Sequence, residues 1–172
     1  ASLLARVLSR LAVRASAAAP SSSSSVVEGL SSLDDAALLR PPPPGHLMLH
    51  TIDFFRTLWS DPYEFGAIAA NHALSDVYAM GGTPRSALAM AVVPLAAEAK
   101  MEDDLMQMLS GALSVLDEAK CELVGGHTCE GDECSLGFAV HGDVEEERVM
   151  RKGGLAAGQV RCTGKTLETR NP

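Results

Sequence analysis

No apolar run in the 172-residue sequence approaches the roughly 18 residues that a membrane span requires. The chain is therefore not read as a membrane protein. Basic side chains are scarce: 14 Lys and Arg stand against 22 Asp and Glu, a formal net charge of -8. Phosphate backbones reward clustered Lys and Arg on one face, so this balance argues against a nucleic-acid partner. Bridging cations still leave a polyanion open. Cysteine is sparse too, and Cys121, Cys129, Cys134 and Cys162 do not make the dense framework of a small secreted domain. A reducing compartment is expected, the cytoplasm first and an organelle as the alternative. No initiator Met opens the chain. What remains, 47% hydrophobic residues in a chain of this length, is enough for one soluble domain with a core plus tails.

In "ASLLARVLSRLAV", Leu4, Val7, Leu8 and Leu11 share one helical face and Arg6, Arg10 and Arg14 form a second stripe. An Arg-rich, Ser-rich, acid-poor opening also suits an organellar transit peptide. "SAAAPSSSSSVVEG" follows as a low-complexity linker, which makes 1–32 a helix plus linker and starts the ordered domain near Leu33. "DDAALLR" and "HLMLHTIDFF" read as two strands joined by a turn at "PPPPG", because prolines cannot continue a ladder. Pro62 to Met80 shows helical spacing and stops at Gly81 and Gly82. "RSALAMAVVP" reads as a buried strand, "KMEDDLMQMLSGALSVLDEAK" as a helix, and "CELVGG" and "CSLGFAVHGDV" as two closing strands. This order indicates an α+β domain, a mixed or antiparallel sheet with helices on one face.

Three acids sit among residues that pack: Asp35 where a strand starts, Asp53 inside a strand, and Asp76 near the end of an apolar helix. A buried carboxylate without a partner costs several kcal/mol or becomes neutral, and Lys and Arg are few in this part of the chain. Converging at one end of a sheet, the three would suit hard divalent cations with a nucleotide triphosphate completing the shell. The plain alternative is that Asp53 ends a strand and Asp76 caps a turn. After the strand "CELVGG", the loop "LVGGHT" offers Gly125 and Gly126 for close backbone approach and the Thr128 hydroxyl for a phosphate oxygen. It is not a Walker loop, and "GKT" at Gly164 to Thr166 lacks the preceding glycine.

Together, "DDAA" at Asp34, "TIDFF" at Thr51, "DPYEFGAIAANHALSDVYAMGG" at Asp61 and "LVGGHT" at Leu123 resemble selenide, water dikinase, also called selenophosphate synthetase. The wording looks most like forms fused to a pyridine-nucleotide oxidoreductase-like domain. The resemblance runs from about Leu33 to about Gly158 and implies the amino-terminal ATP-binding domain of the aminoimidazole-ribonucleotide-synthetase superfamily, which dimerises by joining sheets into a shared barrel. It also implies the synthesis of selenophosphate, AMP and phosphate from ATP, selenide and water. By that resemblance Asp35, Asp53 and Asp76 hold magnesium and the nucleotide; Ser32, Leu33 and Asp34 line the nucleotide; and Gly126, His127 and Thr128 form the phosphate-contacting turn. Related alternatives are a thiamine-monophosphate kinase, an aminoimidazole-ribonucleotide synthetase, or a non-catalytic module that dimerises with a full-length subunit.

Parts of the family pattern are missing. Its amino-terminal Cys and Lys loop is absent, which leaves no catalytic residue to assign, and "QVRCTGKTLETRNP" over 159–172 replaces the expected lead into a carboxy-terminal domain. The expectation is a fragment that cannot turn over alone. His127, Cys129 and Cys134 invite a zinc site but lack a matched second pair. His72 reads as a core histidine or a partner to the acids one turn away, the runs "EDD" and "EEE" as solvated faces, and Met101, Met106 and Met108 as packing.

Overall fold

The computed structural model describes residues 3–15, 25–30, 34–154 and 158, side chains at 12–15 excepted. The elements run α1 (Leu3–Ala15), β1 (Val26–Glu28), β2 (Leu38–Leu39), β3 (His46–Arg56), α2 (Pro62–Ala79), β4 (Thr83–Pro94), α3 (Glu98–Glu118), β5 (Glu122–Gly131) and β6 (Ser135–Glu145), then a 3-10 turn at Glu146–Arg148. β3, β6, β4 and β5 form one sheet in that order. β6 is antiparallel to both neighbours, whereas β4 and β5 are parallel, because α3 carries the chain back between them. The fold is thus α+β with a mixed sheet.

Helices cover one face. Ala87, Ala89, Ala91 and Val93 of β4 and Leu136, Phe138 and Val140 of β6 meet Phe65, Ala69, Ala73, Leu105, Met108 and Leu116 of the helices in one core. The segment "DDAALLR" forms only the two-residue β2, which pairs with β1 in a separate small sheet rather than joining the main one. Asp35 precedes it in a bend, and four consecutive prolines without N–H groups follow, so no longer ladder can form.

α2 starts where the sequence supplies its own cap: Asp61 accepts from the Tyr63 and Glu64 backbone N–H groups, and Pro62 fills the first helical position. α2 and α3 cross very closely. A Cβ on Gly66 would lie 1.9 Å from the Met108 carbonyl oxygen, and one on Gly111 would lie 1.8 Å from that of Tyr63.

α1 packs on α3 with Val7 and Leu11 inside the same core. Its arginines are used: Arg6 pairs with Glu98 and Glu102, and Arg10 with Glu102. The "EDD" run is accordingly no purely solvated face, since Glu102 holds both arginines and buried Asp104 pairs with Lys100. Met101 and Met108 are buried, as packing residues should be. No helix among the described residues is long and apolar enough to cross a membrane.

The sheet's other face is open. Met48, Ile52 and Phe54 of β3 and Met90 of β4 lie exposed on it, Ile52 at 65%.

Candidate functional site

Alternation along β3 turns Thr51 and Asp53 to the helix side, and the four-residue spacing of His72 and Asp76 puts both on the face of α2 that meets them. Two contacts join the elements. Thr51 Oγ1 donates to Asp76 Oδ2 at 2.7 Å, and His72 Nδ1 lies 3.3 Å from Asp53 Oδ2. The Phe55 ring meets His72 edge-on at 4.8 Å. His72 is therefore not a core histidine: its side chain is 59% exposed and it touches an acid.

Asp53 and Asp76 thus share one seam, and neither pairs with a Lys or Arg among the described residues. Two carboxylates with no Lys or Arg partner, one of them only 26% exposed and held by His72 alone, make a donor set that suits a hard divalent cation. Asp35 stands in the bend before β2 and is exposed. Among the described residues no three His, Cys, Asp or Glu side chains are grouped to hold a metal, so the trio is not assembled within this chain, and neither is a zinc cluster at His127, Cys129 and Cys134. Asp34 is exposed beside Asp35, while Ser32 and Leu33 fall outside the described residues.

The "LVGGHT" segment is strand rather than loop. β5 continues unbroken to Gly131, because β4 pairs with it residue by residue through Gly125, Gly126, His127 and Thr128. The register slips at Val124, between the Ala87 and Leu88 partners. Gly126 has a φ of 153°, and a Cβ there would lie 2.0 Å from the Ala89 carbonyl oxygen, so only glycine fits. On the helix side α1 roofs this edge, leaving a space of about 60 Å³ between Leu4, Leu8, Leu109, Gly126 and Thr128. That is far below the roughly 300–1,000 Å³ of a small-molecule site.

Register links the two regions. Asp53 pairs with Phe138, Phe138 with Ala89, and Ala89 with Gly126, one transverse row across all four strands. Asp53 and Gly126 are its ends, three strand spacings or about 14 Å apart in the sheet. Within one chain the acids and the glycine stretch stand on opposite edges.

Comparison with known proteins finds that residues 33–144 match the model of "AIR synthase related protein, N-terminal domain". The chain belongs to the AIR synthase related family. Curated relatives include a selenide, water dikinase of Pelobacter propionicus, 42% identical over 122 residues, which are 71% of this chain and 34% of the relative. Another, of Paraburkholderia xenovorans, is 44% identical over 117 residues, 68% of this chain and 32% of the relative. The chain thus spans about one third of the length of these curated relatives. A thiamine-monophosphate kinase structure from Stenotrophomonas maltophilia aligns with a TM-score of 0.65 at 24% identity, covering 87% of this chain and 43% of that one. This likeness shows the AIR synthase related fold.

Proposed function

We propose that this chain is the nucleotide-binding portion of a selenide, water dikinase, working in the synthesis of selenophosphate from ATP, selenide and water with release of AMP and phosphate. The observation that carries the reading is the β3–α2 seam, where Asp53 and Asp76 face together with no Lys or Arg partner among the described residues, in a chain whose aligned residues are more than 40% identical to proteins of that name.

In this reading Asp53 and Asp76 hold Mg2+, and Asp35 joins them once the segment before β2 closes on a nucleotide. A bound divalent cation would screen the triphosphate charge, the chief need of phosphoryl transfer. His72 holds the Asp53 carboxylate in place, and Thr51 does the same for Asp76. Asp34, with Ser32 and Leu33, lines the nucleotide.

Gly126, His127 and Thr128 then serve across a homodimer. The exposed apolar residues Met48, Ile52, Phe54 and Met90 lie on the uncovered face. Packing that face against a second copy closes two four-stranded sheets toward a barrel and removes exposed strand edges. Closure brings the β5 edge of one copy to the β3 edge of the other, so each site would combine acids from one protomer with the glycine stretch of its partner. An oxidoreductase-like fused or associated domain and a cytoplasmic or organellar setting belong to the same proposal, as does the fragment's inability to turn over alone.

Titration calorimetry of the 172-residue chain with ATP tests the reading. Saturable heat is expected with Mg2+ present, weakened by Asp53→Asn and by Asp76→Asn. No heat with or without Mg2+ would favour the non-catalytic dimerising module.

A further inference from the structure

The four prolines of "PPPPG" take no part in the β3–α2 seam, and the fold holds them as a rigid strap between β2 and β3. Both ends are pinned. Arg40 N–H donates to the Ser25 carbonyl at 2.7 Å where β2 closes, and His46 N–H donates to the Pro43 carbonyl at 3.1 Å where β3 opens. Pyrrolidine rings lock φ at about -65°, and each proline keeps the residue before it extended, so the run takes the left-handed polyproline II form. The turn that ends the strap preserves that form. With Gly45 at a φ of 83° in its third position, the turn from Pro43 to His46 is of type II, whose second position, here Pro44, is itself close to polyproline II. Arg40 to Pro44 thus makes a straight ridge about 12 Å long.

Three residues per turn sort the side chains of the ridge into three rows. Pro41 and Pro44 share one row, Arg40 and Pro43 the next, and all four are exposed, whereas Pro42 on the third row is half-buried. Leu38 and Leu39, just before the strap, are exposed as well. A Cβ on Gly45 would meet nothing within 4 Å, so the tip stands clear of the rest of the chain. The carbonyls of Pro41 and Pro42 accept no hydrogen bond from a described residue, which leaves them open to an outside donor. Arg40 makes no ion pair with a described residue. Asp143, the one carboxylate that lines the same space beneath the strap, is already held by Arg85 and His46.

We propose that the strap is a docking ridge for a protein domain whose groove is lined by aromatic side chains and flanked by acids. Pro41 and Pro44, one turn apart, seat in the aromatic slots, a groove N–H or O–H donates to the Pro41 or Pro42 carbonyl, and a groove carboxylate pairs with Arg40. The ridge selects this partner by what it offers: flat apolar rings at a three-residue interval, unused acceptors, and an uncompensated guanidinium. Because both ends are pinned, docking orders no new backbone and its entropic cost stays small. The inference does not rest on the nucleotide reading.

Isotope-labelled SH3 domains, a panel with carboxylates beside the groove tryptophan, are the probe, titrated by NMR with the 172-residue chain. Expected is a saturable shift of groove signals in one or more domains, at a Kd of about 100 µM or tighter. Pro41→Ala and Arg40→Gln should each weaken it about five-fold, and Ile52→Asp should leave it unchanged. Pro41 and Arg40 are exposed, so both variants keep the fold, which thermal melts check. The proposal is overturned if no domain saturates below about 1 mM, if the shifts lie outside the groove, or if neither strap variant changes the affinity. Binding seen with Ile52→Asp and not with the parent overturns it as well, since the strap is then buried between two copies.

Discussion

Thr51 Oγ1 and Asp76 Oδ2 stand 2.7 Å apart, and their bond ties the middle of β3 to the last turns of α2. Both partners keep access to water, so Thr51→Val should cost about 1 kcal/mol, a drop of a few degrees in Tm. Asp76→Asn retains an acceptor for the threonine and removes the charge. It should stay within about 0.5 kcal/mol of the parent in a thermal melt while losing most of its Mg2+-dependent ATP heat. Equal losses of fold and of ATP binding in both variants would reduce the seam to a structural clasp.

The crossing of α2 and α3 supplies a sharper stability test. Gly66→Ala and Gly111→Ala each drive a methyl into a backbone carbonyl that no rotamer change can move aside. Each substitution should cost about 3 kcal/mol by denaturant titration, at the upper end for overpacking. A neutral result would mean that the helices separate more readily than their contact indicates.

Asp143 makes acid stability informative. Burial pushes its carboxyl up, and the bonds from Arg85 and His46 more than offset this, leaving it below the ordinary carboxylate range. A depressed native pKa stabilises the fold above the ordinary carboxylate value, and that contribution fades as pH falls through the lowered one. Arg85→Leu leaves the buried carboxylate with His46 as its one remaining side-chain partner among the described residues, with an expected loss of about 2 kcal/mol at neutral pH. Its acid limb should flatten, because the carboxylate has lost one of the two partners that hold its pKa down. Unfolding curves of both proteins from neutral pH to the acid range check the sign.

The cysteines divide by environment. Burial, and after it Glu122, pushes the Cys121 thiol up to about 12, whereas Cys129 is exposed. Iodoacetamide at neutral pH should modify Cys129 first and spare Cys121 until the chain unfolds, as peptide mapping would show. Native stability should also decline as pH climbs from the ordinary thiol value toward about 12, since the unfolded chain ionises this group first.

The uncovered sheet face calls for a test of association. Ile52 is 65% exposed and contributes little to its own core, so Ile52→Asp should leave the monomer folded. Sedimentation should then show a monomer where the parent forms a dimer. A monomeric parent would remove the dimer from the proposed function.

Local chemistry made much of this architecture readable in advance. Helical spacing from Pro62 marked α2, and Gly81, with a φ of 76°, ends it. The order of the elements pointed to a mixed or antiparallel sheet with helices on one face, and the parallel β4–β5 pair makes it mixed. "LVGGHT" was misleading because a glycine pair reads locally as a turn, and only parallel pairing with β4, supplied across the length of α3, keeps it extended. The acids were legible as misfits in an apolar context. Their actual neighbours, Thr51 and His72, were not, since a strand-to-helix register is fixed by tertiary packing rather than by spacing within either segment.

The transverse row that ends in Asp53 and Gly126 has a genetic consequence if the paired sheets form as proposed. Two defective alleles, one altered at each end of the row, would fail separately. Co-expressed, they would assemble mixed pairs in which one nucleotide site carries both lesions and the other carries neither, so two dead copies would restore a live one.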